Sequence, residues 1–173
     1  MKLKLFFSFL MFASLMVNAQ NLGELAKNGD VKSMKDLLTE QPDLLNQPDQ
    51  RGFPPLILAV YANQKEATEF LLSEGASIDA TDQAGNTALM GAVFKGNMDL
   101  MQLLLDNEAT INHQNREGLT ALSLAVKYGK IEEAKFLIQQ GADPEIEDNA
   151  GKTALDYAQM QDNDELIGLL KNR

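Results

Sequence analysis

Four glycines set the frame for this chain. Gly52, Gly85, Gly118 and Gly151 stand at equal intervals of 33 residues (85−52, 118−85 and 151−118). A fixed period of this size marks a fold assembled from repeated supersecondary units. Each unit is too small to bury a core alone and is stabilised by stacking on its neighbours. The constraint is stronger than any local propensity, because every residue type has to make sense at four places at once.

Residues 82–114 show what one unit holds: a glycine turn, a short helix, a second glycine, a leucine-rich helix and an extended tail. Residues 49–81, 82–114 and 115–147 are three full copies, and 148–173 is a fourth, cut after its second helix. Residues 20–48 form a degenerate first copy, in which Gly29-Asp30 matches Gly96-Asn97, and the loop that follows, with Pro42 and Pro48, is one residue longer than later ones. Thr87, Thr120 and Thr153 stand where a helix N-cap hydroxyl is wanted, and Asp156 completes an approximate capping box with Thr153. Pro54-Pro55 replaces that cap in one copy; Pro55 suits a first helical turn. Leu56/Ala59, Leu89/Ala92, Leu122/Ala125 and Leu155/Ala158 place a large and a small apolar residue on one face of each first helix. The second helices carry apolar runs such as Leu103-Leu104-Leu105, as expected of helices held between neighbouring units.

These residues resemble a known family. The frame D-x-x-G-x-T-x-L-x-x-A…G…LL…GA-x-(I/V)-(D/N) is similar to the ankyrin repeat, clearly over residues 49–173 and loosely over 21–48. The resemblance implies an all-α fold, an ankyrin-type helical solenoid of about five stacked helix–turn–helix units. It also implies β-turn fingers on one side and a concave face lined by the first helices. The T-P-L-H tetrad of the family is incomplete in every copy and never contains the His. The glycine that ends the second helix at Gly75 and Gly141 is replaced by Glu108, where a side chain has to accept positive φ.

Residues 1–19 are expected to be a secretory signal. Lys2 and Lys4 precede an apolar run from Leu5 to Val17 broken only by Ser8 and Ser14, and Val17-Asn18-Ala19 provides the cleavage pattern. The run is short for a membrane span, which needs about 20 residues. The mature chain would be exported, with the bacterial periplasm expected ahead of full secretion, and would have no membrane attachment. Of the 15 basic and 25 acidic residues in the whole chain the signal removes two lysines, so the charge moves from −10 to −12. That acidity disfavours nucleic acid as a partner and would suit a basic protein.

Chemistry finds little support. There is no Cys, and His113 is the single His, so thiolate chemistry, disulfides and His- or thiolate-based metal clusters are excluded. His113 has no nucleophile motif beside it, and Glu132-Glu133 and the Asp162–Glu165 run suit helix N-termini. The acidic stretch from Asp143 to Asp148 lacks the glycine of a calcium loop. No enzyme activity, cofactor or metal is expected. The expectation is a monomeric protein-binding scaffold of the bacterial envelope, with two alternatives: a dedicated inhibitor or protective partner of one exported enzyme, and an enzyme or small-ligand binder whose site the sequence does not reveal. By the resemblance, binding falls to positions that vary between copies: Arg51, Phe53, Tyr61, Asn86, Phe94, Lys95, Arg116, Leu119, Lys127 and Tyr128. Exposed aromatics beside cations are frequent anchors of protein interfaces.

Overall fold

The computed structural model describes residues 22–171. The expected signal at residues 1–19 lies outside them. The described residues are helices joined by turns, with no strand among them, and no helix among them is long and apolar enough to cross a membrane. The chain divides into two compact units, Met1–Gln83 and Ala84–Arg173.

In the first unit, a helix over residues 22–28 (α1) is followed by α2 (Val31–Glu40), a 3-10 turn (Pro42–Leu44), α3 (Pro55–Tyr61) and α4 (Lys65–Ser73). The extra residue before Pro48 is absorbed by that 3-10 turn, whose Leu44 is fully buried. Helix α1 runs close to α3, since a Cβ on Gly23 would lie 2.8 Å from Leu58 Cδ1. The second unit holds three helix pairs: α5 (Ala88–Lys95) with α6 (Met98–Asp106), α7 (Ala121–Lys127) with α8 (Ile131–Gln139), and α9 (Ala154–Met160) with α10 (Asp164–Lys171). Helix α7 packs against both α5 and α9, and α8 packs against α10.

The repeated residues form repeated contacts. Thr87, Thr120 and Thr153 each accept a hydrogen bond from the backbone N–H three residues on, and Thr153 with Asp156 closes a full capping box. Helix α3 starts on Pro54 with no side-chain cap and has Pro55 at its first position. The turn from first to second helix recurs five times at positive φ, at Gly29, Asn63, Gly96, Gly129 and Asp162. At all five the N–H of the positive-φ residue and the next N–H reach back to the first helix, as in Gly96→Val93 (3.0 Å) and Asn97→Ala92 (3.0 Å). Asp30, Asn97 and Asn163 then cap the second helix. Leu56, Ala59, Leu89, Ala92, Leu122, Ala125 and Ala158 are buried at 2% exposure or less, as the i, i+3 spacing predicts, but Leu155, expected on the same face, is only half-buried. In the second helices the central residue of the apolar run is wholly buried (Leu71, Leu104, Leu137), and its flanking residues are half-buried.

Candidate functional site

Three of the fingers are held by their first residue. In the finger that begins at Asn115, the side-chain Oδ1 accepts the N–H groups of Glu117 (2.9 Å) and Leu119 (3.0 Å), while Asn115 N–H donates to Leu119 O (3.0 Å). Asp49 does the same with Arg51 and Phe53, and Asp148 with Ala150 and Lys152. An Asp or Asn is therefore required there because its short side chain satisfies the backbone of its own turn. Within the second unit the fingers also bond to one another. Arg116 N–H donates to Ala84 O, and Asn149 N–H to Glu117 O, both at 3.0 Å. Gly118 has φ +80°, and a Cβ on it would come within 2.6 Å of Asn149 N, so backbone angle and close approach both demand glycine.

This geometry corrects one expected contact residue. Leu119 is only 1% exposed and cannot meet a partner. The reason lies in the finger: the fifth residue closes the turn with both its N–H and its C=O, so it sits at the base and not at the tip. Phe53 and Asn86, at the same repeat position, are half-buried. The Asn86 carboxamide oxygen also accepts Asn115 Nδ2 at 2.8 Å, so this side chain serves the fold.

In each unit two of the remaining expected aromatic residues come together as a pair. In the first unit, Phe53 and Tyr61 meet edge to face, with centroids 6.3 Å apart and planes at 84°. The Arg51 guanidinium lies 5.5 Å from the Phe53 centroid and pairs with Asp49 at 2.9 Å. Burial tends to raise the Asp49 pKa, but the Phe53 N–H and the Arg51 groups outweigh it and hold the carboxyl below its usual range. These residues, with Lys27, Leu58 and Ala62, line an open cavity of about 350 Å³.

In the second unit, Phe94 and Tyr128 form another edge-to-face pair, 5.8 Å apart at 84°. They are 54% and 55% exposed, and Met160, on the same side of the next first helix, is 65% exposed. Lys95 and Arg116 are exposed. Lys127 is half-buried: its ammonium is 3.4 Å from Glu117 and 5.5 Å from the Tyr157 ring. Lys152 stands 5.6 Å from the same ring, and the Tyr157 hydroxyl donates to Asp148. That bond, with the finger N–H groups, holds the Asp148 carboxyl below its usual range. Burial, and then the Asp148 carboxylate, push the Tyr157 hydroxyl up to about 12. Lys27, Leu58 and Tyr157 were not expected from the sequence: Leu58 and Tyr157 are set back along their helices from the varying positions, whereas Lys27 occupies the position of Tyr61 and Phe94 and could have been found by matching Gly29 to Gly96. The signal available for Tyr157 was that an aromatic replaces the Leu or Gly found at Leu58, Gly91 and Leu124.

The acidic stretch 143–148 is spent on structure. Asp143 accepts Glu145 N–H, Asp148 serves its finger, and among the described residues no three His, Cys, Asp or Glu groups gather in a metal-binding arrangement.

Stacked helix pairs, an Asx-held finger and a threonine-capped first helix define a repeat protein of the ankyrin type. A family model described as ankyrin repeats (3 copies) matches residues 22–115 and 89–173, and the chain belongs to the ankyrin repeat family. Over 60 residues it is 37% identical to the human DNA-binding protein RFXANK, a stretch that is 35% of this chain and 23% of that protein. The chain thus matches less than a quarter of that relative's length. Membership of the family identifies a protein–protein interaction scaffold and points away from catalysis.

Proposed function

We propose that this protein is a non-catalytic scaffold of the bacterial envelope that recognises a partner protein through the faces formed by its first helices and fingers. The observation that carries the assignment is the Phe94–Tyr128 pair. Two large rings, each more than half exposed, sit together on helices whose opposite faces are fully buried. Exposed aromatic surface is costly to leave in water, and an edge-to-face pair presents it as a rigid anchor that loses little entropy on binding. The Phe53–Tyr61 pair with Arg51 repeats the chemistry in the first unit. Support for the envelope is the basic start, apolar run and Val17-Asn18-Ala19 ending of the first 20 residues.

The test is co-purification from the envelope fraction of the source organism, with wild-type protein and a Phe94→Ala/Tyr128→Ala variant as baits. A partner retained by the wild type and lost by a folded variant is the expected result. Equal retention by both baits would contradict the assignment.

A further inference from the structure

The net acidity of the chain conceals an uneven distribution. In the second unit, the fingers and first helices (residues 84–96, 115–129 and 148–161) hold four basic and three acidic residues. The second helices and their tails (residues 97–114, 130–147 and 162–171) hold three basic and eleven acidic ones. Nearly all the negative charge therefore lies off the elements that carry the aromatic pair.

The three acidic residues that remain on those elements are already engaged. Asp148 accepts two finger N–H groups and the Tyr157 hydroxyl. Asp156 accepts the Thr153 N–H at 2.8 Å and its hydroxyl at 2.7 Å. Glu117 pairs with Lys127. Among the described residues, no carboxylate lies within 4.0 Å of the Lys95 or Arg116 cations, the limit for an ion pair. The first helices and fingers of the second unit, which carry Phe94 and Tyr128, thus bear a small net positive charge on a protein of charge −10. The first unit differs: Lys27 and Arg51 line the cavity walled by Phe53 and Tyr61, but each already has a carboxylate partner, Glu24 at 3.6 Å and Asp49 at 2.9 Å.

We infer that the partner contributes an acidic polypeptide segment bearing at least one aromatic or aliphatic side chain. The apolar group seats on the Phe94–Tyr128 pair and its carboxylates meet Lys95 and Arg116. The inference rests on the protein-binding function proposed above and reverses the expectation from overall charge, which pointed to a basic partner. Local complementarity decides because charges more than about 10 Å away are largely screened at physiological salt, while facing charges set orientation and on-rate. The acidic second helices of this unit also discriminate, since they repel an acidic segment from the surface they form.

The experiment is selection of a random displayed peptide library on the full chain, with a random single-stranded DNA pool in parallel. Retained peptides should be rich in Asp and Glu and carry an aromatic or aliphatic residue. Their affinity should fall with added salt, and by roughly tenfold or more in Lys95→Glu/Arg116→Glu, equivalent to about 1.4 kcal/mol. Lys95→Gln/Arg116→Gln should show a smaller loss in the same direction, and circular dichroism establishes that each variant is folded. Basic peptides, or acidic peptides indifferent to both charge variants, would overturn the acidic partner yet leave protein binding intact if Phe94→Ala/Tyr128→Ala abolishes their capture. Retention of DNA with no peptides, or of neither, would overturn both.

Discussion

At the residue scale, Glu108 is a local defect in a repeated turn. It has φ +65°, where Gly75 and Gly141 have +89° and +90°. Its backbone bonds match theirs: Glu108 N–H to Leu105 O and Ala109 N–H to Leu104 O, both 3.0 Å, as Gly75 bonds to Leu72 and Ala76 to Leu71. The turn is therefore formed in full, and the side chain bears a left-handed penalty that glycine does not. Replacement Glu108→Gly should stabilise the fold by roughly 1 kcal/mol, raising the melting midpoint by about 2–4 °C for a chain of this size. Thermal melts at matched concentration check it, and an unchanged or lower midpoint rules it out. Asn63 and Asp162 also take positive φ, at 57° and 50°. Asn and Asp tolerate that region better than Glu, so glycine there should gain less. The substitution at Glu108 was legible because the 33-residue frame names its equivalents. Asn63 and Asp162 occupy the turn matched by Gly96 and could have been found by the same alignment.

At the scale of elements, the hydroxyl of Tyr157 on α9 ties that helix to Asp148 in the finger before it. With the hydroxyl pushed up to about 12 in the folded protein, and about 10 in an unfolded chain, the sign is fixed. The neutral phenol is favoured on folding, so its contribution is complete below about pH 10 and is lost as pH rises toward 12. Asp148, held low by the same bond, contributes above about pH 4 and loses that contribution as pH falls through its folded value. One of the three tyrosines should therefore titrate late by tyrosinate absorbance, and Tyr157→Phe should remove that late step. In Asp148→Asn the finger is kept, as Asn115 shows that Asn suffices. The variant should be less stable than the parent at neutral pH, with the gap closing below about pH 4. A gap independent of pH would refute the coupling.

Most of the elements could be read in advance. The threonine caps, the buried Leu/Ala faces and the glycine turns each follow from one residue type with one local job, repeated at a known offset. The fate of individual side chains in a finger could not. Repeat equivalence groups Phe53, Asn86, Leu119 and Lys152 at one position, but burial there depends on side-chain chemistry and on what the adjacent helices offer. Leu119 is covered, Phe53 is half-covered, and Asn86 is drawn into a hydrogen bond with the next finger. The Tyr157–Asp148 bond was hidden for a similar reason, since nine residues of sequence separate partners that the finger folds together.

At the scale of the whole molecule, the proposed recognition follows local groups and not overall composition. A charge of −10 describes solubility and long-range repulsion, whereas binding is decided by the few groups that face the partner. On the proposed reading those groups are the edge-to-face pairs Phe53–Tyr61 and Phe94–Tyr128, with Arg51 and Lys27 lining the first and the exposed Lys95 and Arg116 carried on the same elements as the second. The family frame shows where such groups belong, and the structure shows which are available. The most direct test of this account is site-specific photo-crosslinking in the native envelope. A photoreactive amino acid is placed singly at position 94 or 128 on the first-helix face, and at Gln102 or Gln139 on the second helices, which are also exposed. The account predicts a protein adduct from positions 94 and 128 and none from 102 and 139. Adducts from 102 and 139 with none from 94 and 128 would contradict it.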